Sequence, residues 1–196
     1  DQKGTLWFTL QSGMVGRLVP VTGAMSVAAT PSSGTYPYGI AVNSKGVPWY
    51  VDFRGNRLGS VDPATMAIQE HALPDPAARP RRITITPDDA VWYTDYARGY
   101  LGRLDPATGQ VREWPSPGGR QSFPYGIAAI GSTIWYSESG VRPNTLVRFD
   151  QTAGTFQTWA ISSVGGVVRN MMATRDGNLA LALSGVTGVA LVEIAR

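Results

Sequence analysis

Apolar residues in this chain gather in short runs instead of recurring at the ~3.6-residue spacing of a helix. Runs of four to seven residues rich in Val, Ile, Trp, Tyr and Thr, among them 39–42, 91–94 and 110–114, alternate with segments rich in Gly, Pro, Asp and Ser. Such β-branched and aromatic runs between turn residues predict strands, and others are expected near 135–137 and 189–194. The most apolar stretch, 178–195, is broken by Ser184-Gly185-Val186-Thr187-Gly188 and carries Glu193. It reads as two strands around a turn, not as a membrane span.

The runs belong to a repeat. Leu6-Trp7-Phe8-Thr9, Trp49-Tyr50-Val51-Asp52, Trp92-Tyr93-Thr94-Asp95 and Trp135-Tyr136-Ser137-Glu138 place tryptophans 42, 43 and 43 residues apart, and a degenerate fifth copy puts Ala180 another 45 residues on. Pro37-Tyr38-Gly39-Ile40, Pro80-Arg81-Arg82-Ile83, Pro124-Tyr125-Gly126-Ile127 and Val168-Arg169-Asn170-Met171 keep the same phase. So do Gly16-Arg17-Leu18, Gly59-Ser60-Val61, Gly102-Arg103-Leu104 and Val147-Arg148-Phe149. Asp62-Pro63-Ala64-Thr65 and its copies at Asp105 and Asp150 follow, with the turn chemistry that closes a hairpin. Each repeat thus holds four strands, termed A (Pro-Tyr-Gly-Ile), B (Trp-Tyr), C (Gly-Arg-Leu) and D. Four antiparallel strands about every 43 residues is the period of a β-propeller blade, and the recurring tryptophan is expected to pack between blades. The chain is therefore read as one all-β propeller domain, 1–196, with repeats near 1–36, 37–79, 80–123, 124–167 and 168–196.

The strands amount to about four and a half blades, because strand A of the first repeat and strand D of the last are missing. Propellers hide sheet edges by closing the ring. The expectation is a C-terminal part of a larger propeller whose N-terminal blades are absent, with self-association of two fragments as the alternative.

Composition narrows the chemistry. The 196 residues, 43% hydrophobic and 16% charged, suit one globular domain, and 23 glycines with 14 prolines suit many tight turns. The lack of cysteine excludes disulfides, zinc ribbons and thiol catalysis. Only two of the 17 basic residues are lysine, and the net charge of +3 is too mild to indicate nucleic acid. Glycine-rich phosphate loops, histidine metal clusters and Gly-x-Ser-x-Gly elbows do not occur. The chain opens at Asp1 without a basic and then apolar leader, so a targeting segment is expected to be absent from it.

With its Pro-Tyr-Gly-Ile-Ala, Trp-Tyr-Thr-Asp and Asp-Pro-Ala-Thr-Gly motifs, the repeat resembles the streptogramin B lyases, also called virginiamycin B lyases, over the whole chain. The resemblance implies a seven-bladed propeller that opens the ester-closed ring of streptogramin B antibiotics by elimination, with magnesium helping to hold the substrate. It also implies histidines directly after the strand-A proline of the last blades, and a glutamate near the end of a B strand. Here the after-proline positions hold Tyr38, Arg81, Tyr125 and Arg169. The ends of the B strands hold Leu10, Asp52, Asp95, Glu138 and Leu183. Streptogramin elimination by that acid/base pair is not expected. The sole histidine, His71, falls in an outer strand D and is expected to face solvent or an edge.

The connections from D to A and from B to C, which form the ligand face of a propeller, concentrate acids, arginines and tyrosines. Candidate ligand-binding residues are Tyr38, Asp52, Arg54, Arg81, Asp95, Arg98, Tyr125, Glu138 and Arg169, and no catalytic residue or metal ligand is assigned. The structural alternative is that Asp52, Asp95 and Glu138 pair with neighbouring arginines to satisfy loop ends. Asp176 and Asp88-Asp89 lie in A-to-B turns and are read as turn residues. Two functions follow: a propeller binding a small polar or anionic ligand at its channel, or a lyase-like enzyme opening an unknown ester or lactone with magnesium. The expected partner is a small molecule, neither nucleic acid nor membrane.

Overall fold

The computed structural model describes residues 1–162 and 166–194; Gly165, placed by sequence in a connection from D to A, lies outside them. Among the described residues five antiparallel sheets follow one another along the chain. The first has three strands, β1 (Leu6–Leu10), β2 (Met14–Val19) and β3 (Ala24–Ala29). The second runs β4 (Pro37–Val42), β5 (Pro48–Asp52), β6 (Arg57–Val61) and β7 (Ile68–Ala72). The third comprises β8 (Pro80–Ile85), β9 (Val91–Asp95), β10 (Tyr100–Leu104) and β11 (Val111–Pro115). The fourth holds β12 (Pro124–Ile130), β13 (Thr133–Glu138), β14 (Thr145–Asp150) and β15 (Thr155–Ala160). The last is β16 (Val168–Ala173), β17 (Leu179–Leu183) and β18 (Gly188–Val192). Among the described residues no helix is long and apolar enough to cross a membrane.

The A strands β4, β8, β12 and β16 pack side by side around the channel, so each sheet radiates outward from its first strand. The strand expected over 189–194 stops at Val192, where the Ile194 amide leaves the ladder and donates to Asn178 Oδ1 at 3.0 Å. The tryptophans sit between sheets. Trp49 packs with Ile83 and Tyr93 of the third sheet, Trp92 with Ile127 and Tyr136 of the fourth, and Trp135 with Val168 and Leu179 of the fifth. Each large ring buries about 200 Å² against its neighbour, an upper bound of ~5 kcal/mol per interface.

The glycine of the Gly-Arg-Leu marker has a steric origin. Gly59 and Gly102 face Tyr50 and Tyr93 across the B–C ladder, and a Cβ at either would come within 2.1 Å of the ring. The aromatic of strand B therefore lies flat over strand C. The Asp-Pro-Ala-Thr marker also closes its hairpin as expected: Asp62 Oδ1 accepts the amides of Ala64 and Thr65 at 2.7 and 3.1 Å. Asp150 repeats the arrangement with Thr152 and Ala153.

His71 lies in the edge strand β7, one of the two placements expected, but it is half-buried, its ring 4.8 Å from that of Trp49 and its Nε2 3.1 Å from Ser60 Oγ. The indole offers a flat apolar surface that keeps the imidazole out of water, and burial lowers the His71 pKa.

Candidate functional site

Every A–B ladder slips at the same place. Register shifts fall between Pro37 and Ile40, Pro80 and Arg82, Pro124 and Ile127, and Val168 and Asn170. A bulge frees a residue from its ladder partner and re-aims its side chain. The released residues include Tyr38, Arg81, Tyr125 and Arg169, the four after-proline positions. Gly39 and Gly126 let adjacent A strands approach there: a Cβ on Gly39 would lie 3.0 Å from the Arg82 Cα, and one on Gly126 3.1 Å from the Val168 carbonyl oxygen.

Three of these residues meet. The Tyr38 and Tyr125 hydroxyls are 2.7 Å apart. The Arg81 guanidinium carbon lies 4.0 Å from the Tyr125 ring centroid, 4.1 Å from Tyr96, 4.7 Å from Phe53 and 5.6 Å from Tyr38. Four π faces hold the cation in place at roughly 0.5–2 kcal/mol each. Among the described residues its Nε is buried without a hydrogen-bond partner. Arg82 covers the Tyr38 ring at 4.8 Å and donates from Nε to the Arg169 carbonyl at 3.1 Å. The Arg169 side chain is exposed. Arg54 is exposed as well and lies 4.9 Å from the Tyr36 ring.

These charges move the two phenols in opposite directions. Burial works to raise the Tyr38 pKa, but the hydrogen bond with Tyr125 and the charges of Arg82 and Arg81 outweigh it, and the value falls below the ordinary 10.0. Tyr125 is raised, by burial first and then by its bond to Tyr38, despite Arg81. A pocket of about 630 Å³ opens over this cluster, lined by Gln11, Tyr36, Tyr38, Phe53, Arg54, Arg79 and Arg81. A hollow of about 670 Å³ between β15 and β18 is as large, but Trp135, Leu146, Trp159 and Leu191 make much of it apolar. Chemistry, not size, selects the first.

The three acids behave differently. Asp52, Asp95 and Glu138 are 1%, 0% and 1% exposed. Asp52 Oδ1 accepts the amides of Tyr36 and Arg54 at 2.8 and 3.1 Å, while Oδ2 lies 3.7 Å from Arg57 Nε. Asp95 Oδ1 accepts the amides of Arg79, Ala97 and Arg98, and its Oδ2 takes Arg98 Nε at 2.6 Å. Arg98 also bridges Asp75 at 2.9 Å and Glu113. Burial opposes its charge, yet the bonds to Asp95 and Glu113 hold its pKa above the usual arginine value. Among the described residues Glu138 has no arginine partner; it accepts from Ser116 Oγ at 2.5 Å, the Gly118 amide at 2.7 Å and Thr145 Oγ1 at 2.5 Å. These groups staple the D-to-A loops to the B-to-C loops, in keeping with the structural alternative the sequence offered for the acids: Asp52, Asp95, Arg98 and Glu138 are engaged within the protein.

The donor set does not suit magnesium. Among the described residues no three acidic or histidine side chains converge, and the buried carboxylates already serve amides, hydroxyls and guanidinium groups.

Sequence reasoning passed over Tyr36, Phe53, Arg82 and Phe123. The signal for Phe53 was its position directly after an acid, matching Tyr96. Phe123 stacks on Tyr96 at 4.9 Å with φ of 48°, a left-handed conformation that costs a bulky residue roughly 1–3 kcal/mol. Its carbonyl accepts the Ser139 hydroxyl at 2.7 Å, which anchors the turn.

Comparison with known proteins places this geometry among relatives. The sequence pattern of the virginiamycin B lyase family matches residues 1–119. A virginiamycin B lyase of Nocardia farcinica (strain IFM 10152) is 48% identical over 60 residues, which cover 30% of this chain and 20% of that protein. A streptogramin B lyase structure superposes with a TM-score of 0.86 at 24% identity, covering 100% of this chain and 67% of the other. The virginiamycin B lyase of Staphylococcus aureus gives 0.84 at 23% identity, covering 98% and 67%. The chain thus spans about two thirds of those solved chains, and its matched segment about a fifth of the curated relative.

Proposed function

The chain belongs to the virginiamycin B lyase family, and from that premise we propose that it binds a small anionic ligand at the channel mouth, with Arg81 as the anchor. The observation that carries the reading is an imbalance of partners. Among the described residues Arg54, Arg81 and Arg82 make no ion pair, while Asp52, Asp95, Glu70 and Glu113 are all held by arginines. A guanidinium that is fixed in orientation and lacks a carboxylate is a bidentate receptor for one. The pocket volume of about 630 Å³ suits a small molecule, and Tyr36, Tyr38 and Phe53 supply apolar surface for its body.

Elimination through histidine, as the family resemblance implies, has no counterpart here. His71 is engaged with Trp49 and Ser60 in an outer strand, and Tyr and Arg occupy the after-proline positions.

Phenylacetate, with one carboxylate and one ring, is the simplest probe. NMR titration is expected to show saturable binding, with phenylacetamide at least tenfold weaker and Arg81→Ala reducing phenylacetate affinity by a similar factor. Equal affinity for the acid and the amide would remove the anion from the account.

A further inference from the structure

Two tyrosine hydroxyls sharing one hydrogen bond beneath a cationic pocket have chemical capacity beyond holding an anion. Tyr38 lines the pocket, whereas Tyr125 is 3% exposed and lies behind it. The 2.7 Å contact uses a single proton. With Tyr125 as donor, the Tyr38 oxygen keeps lone pairs directed away from its neighbour, and it is the member of the pair that a ligand reaches. We infer that Tyr38 is a general base that removes a proton from the carbon beside a carboxylate or carbonyl held at Arg81, and that Tyr125 is the positioning residue that donates to the Tyr38 oxygen. The inference rests on the anion-binding reading and deepens it.

The step balances without an added reactant. The Tyr38 phenolate takes the proton as the C–H bond breaks, and the electron pair of that bond enters the new C=C bond of an enolate. Negative charge moves to the enolate oxygen, where a fixed guanidinium stabilises it as preorganised donors do. Return of a proton from Tyr38 to carbon regenerates both ligand and phenolate. Reversible enolisation therefore exchanges the C–H hydrogen with solvent.

The charged and titratable groups around Tyr38 favour this division of roles. Arg81 and Arg82 face it from β8, Tyr125 from β12 and Tyr36 from the connection just before β4, with Arg54 over the Tyr36 ring. Two cations and a donor favour the phenolate at Tyr38, and burial favours the neutral phenol at Tyr125. Two titratable groups driven apart by their surroundings are the usual signature of a base and its partner.

The test has two arms. Ultraviolet titration of tyrosinate should show one tyrosine ionising below the others in the wild type. That step should vanish in Tyr38→Phe and move to higher pH in Tyr125→Phe; an early step that survives in Tyr38→Phe overturns the inference. In the second arm, phenylpyruvate is incubated with the chain in D2O and deuterium at C3 is followed by NMR. Exchange is expected above the buffer rate, to fall about 100-fold or more in Tyr38→Phe while phenylpyruvate stays bound, and to reach its plateau at higher pH in Tyr125→Phe. Phenylpyruvate that binds without enhanced exchange overturns the base but leaves the anion site standing. If neither phenylpyruvate nor phenylacetate binds, the anion site fails and the base with it.

Discussion

The ends of the B strands and the bulges of the A strands lie on the same face and recur with the same period, yet they put polar groups to opposite uses. Asp52, Asp95 and Glu138 each end a B strand fully buried, with their oxygens saturated by amides, hydroxyls or arginine. Tyr38 and Arg81 sit on bulges, with a pocket over them and a buried Arg81 Nε that has no partner among the described residues. A charged residue on a propeller face is therefore not a ligand contact by position alone. What separates the two sets is how many protein donors and acceptors already meet each group.

Substitutions should split along that line, and the acids should give the largest losses of stability. Asp95→Ala removes the acceptor for three amides and leaves Arg98 with a buried, partly unpaired charge. A cost of about 3–5 kcal/mol is expected in urea unfolding; a loss below about 1 kcal/mol would contradict the structural role. Gly102→Ala follows, because the added methyl must displace the Tyr93 ring. About 1–3 kcal/mol is expected from overpacking, read as a fall in Tm. Arg81→Ala should cost less than Asp95→Ala, about 1–2 kcal/mol, because it loses cation–π contacts with Tyr96 and Tyr125 but no ion pair among the described residues. A stability loss there as large as that of Asp95→Ala would erase the contrast.

Two pH effects are smaller. Burial comes first among the causes that raise the pKa of Tyr50, Tyr93 and Tyr136. For an acid whose folded pKa is raised, stability is complete below the unfolded value and is lost above it. Unfolding free energy should therefore decline above about pH 10, and more gently in Tyr93→Phe, which has one such group fewer. His71 has the opposite sense: its folded pKa is depressed, so the unfolded chain binds the proton first and stability falls as pH drops below about 6.5. Replacing His71 with Gln should flatten that acid limb of the stability profile; an unchanged limb would show that His71 does not set it.

The repeat made much of the fold legible. Tryptophan spacing gave the blade period, and Gly59 and Gly102 marked the residues over which the strand-B tyrosines lie. Such features are steric and recur in several copies, so one chain carries several readings of the same constraint. The site was legible only in its location. Tyr38 and Arg81 stood out because they replace an expected histidine, but their meeting depends on bulges, and a bulge leaves no spacing signature in a strand of six residues. The engagement of Arg98 was equally hidden, because its partners Asp75, Asp95 and Glu113 come from three separate segments.

The contrast between saturated acids and available bulge residues is tested most directly by mapping amide and side-chain NMR shifts during a phenylacetate titration of the wild-type chain. The account predicts that the large shifts fall on Tyr36, Tyr38, Phe53, Arg54 and Arg81, with Gly118, Ser116 and Thr145 around Glu138 left in place. Shifts centred on the Glu138 or Asp95 loops, with Arg81 unmoved, would contradict it.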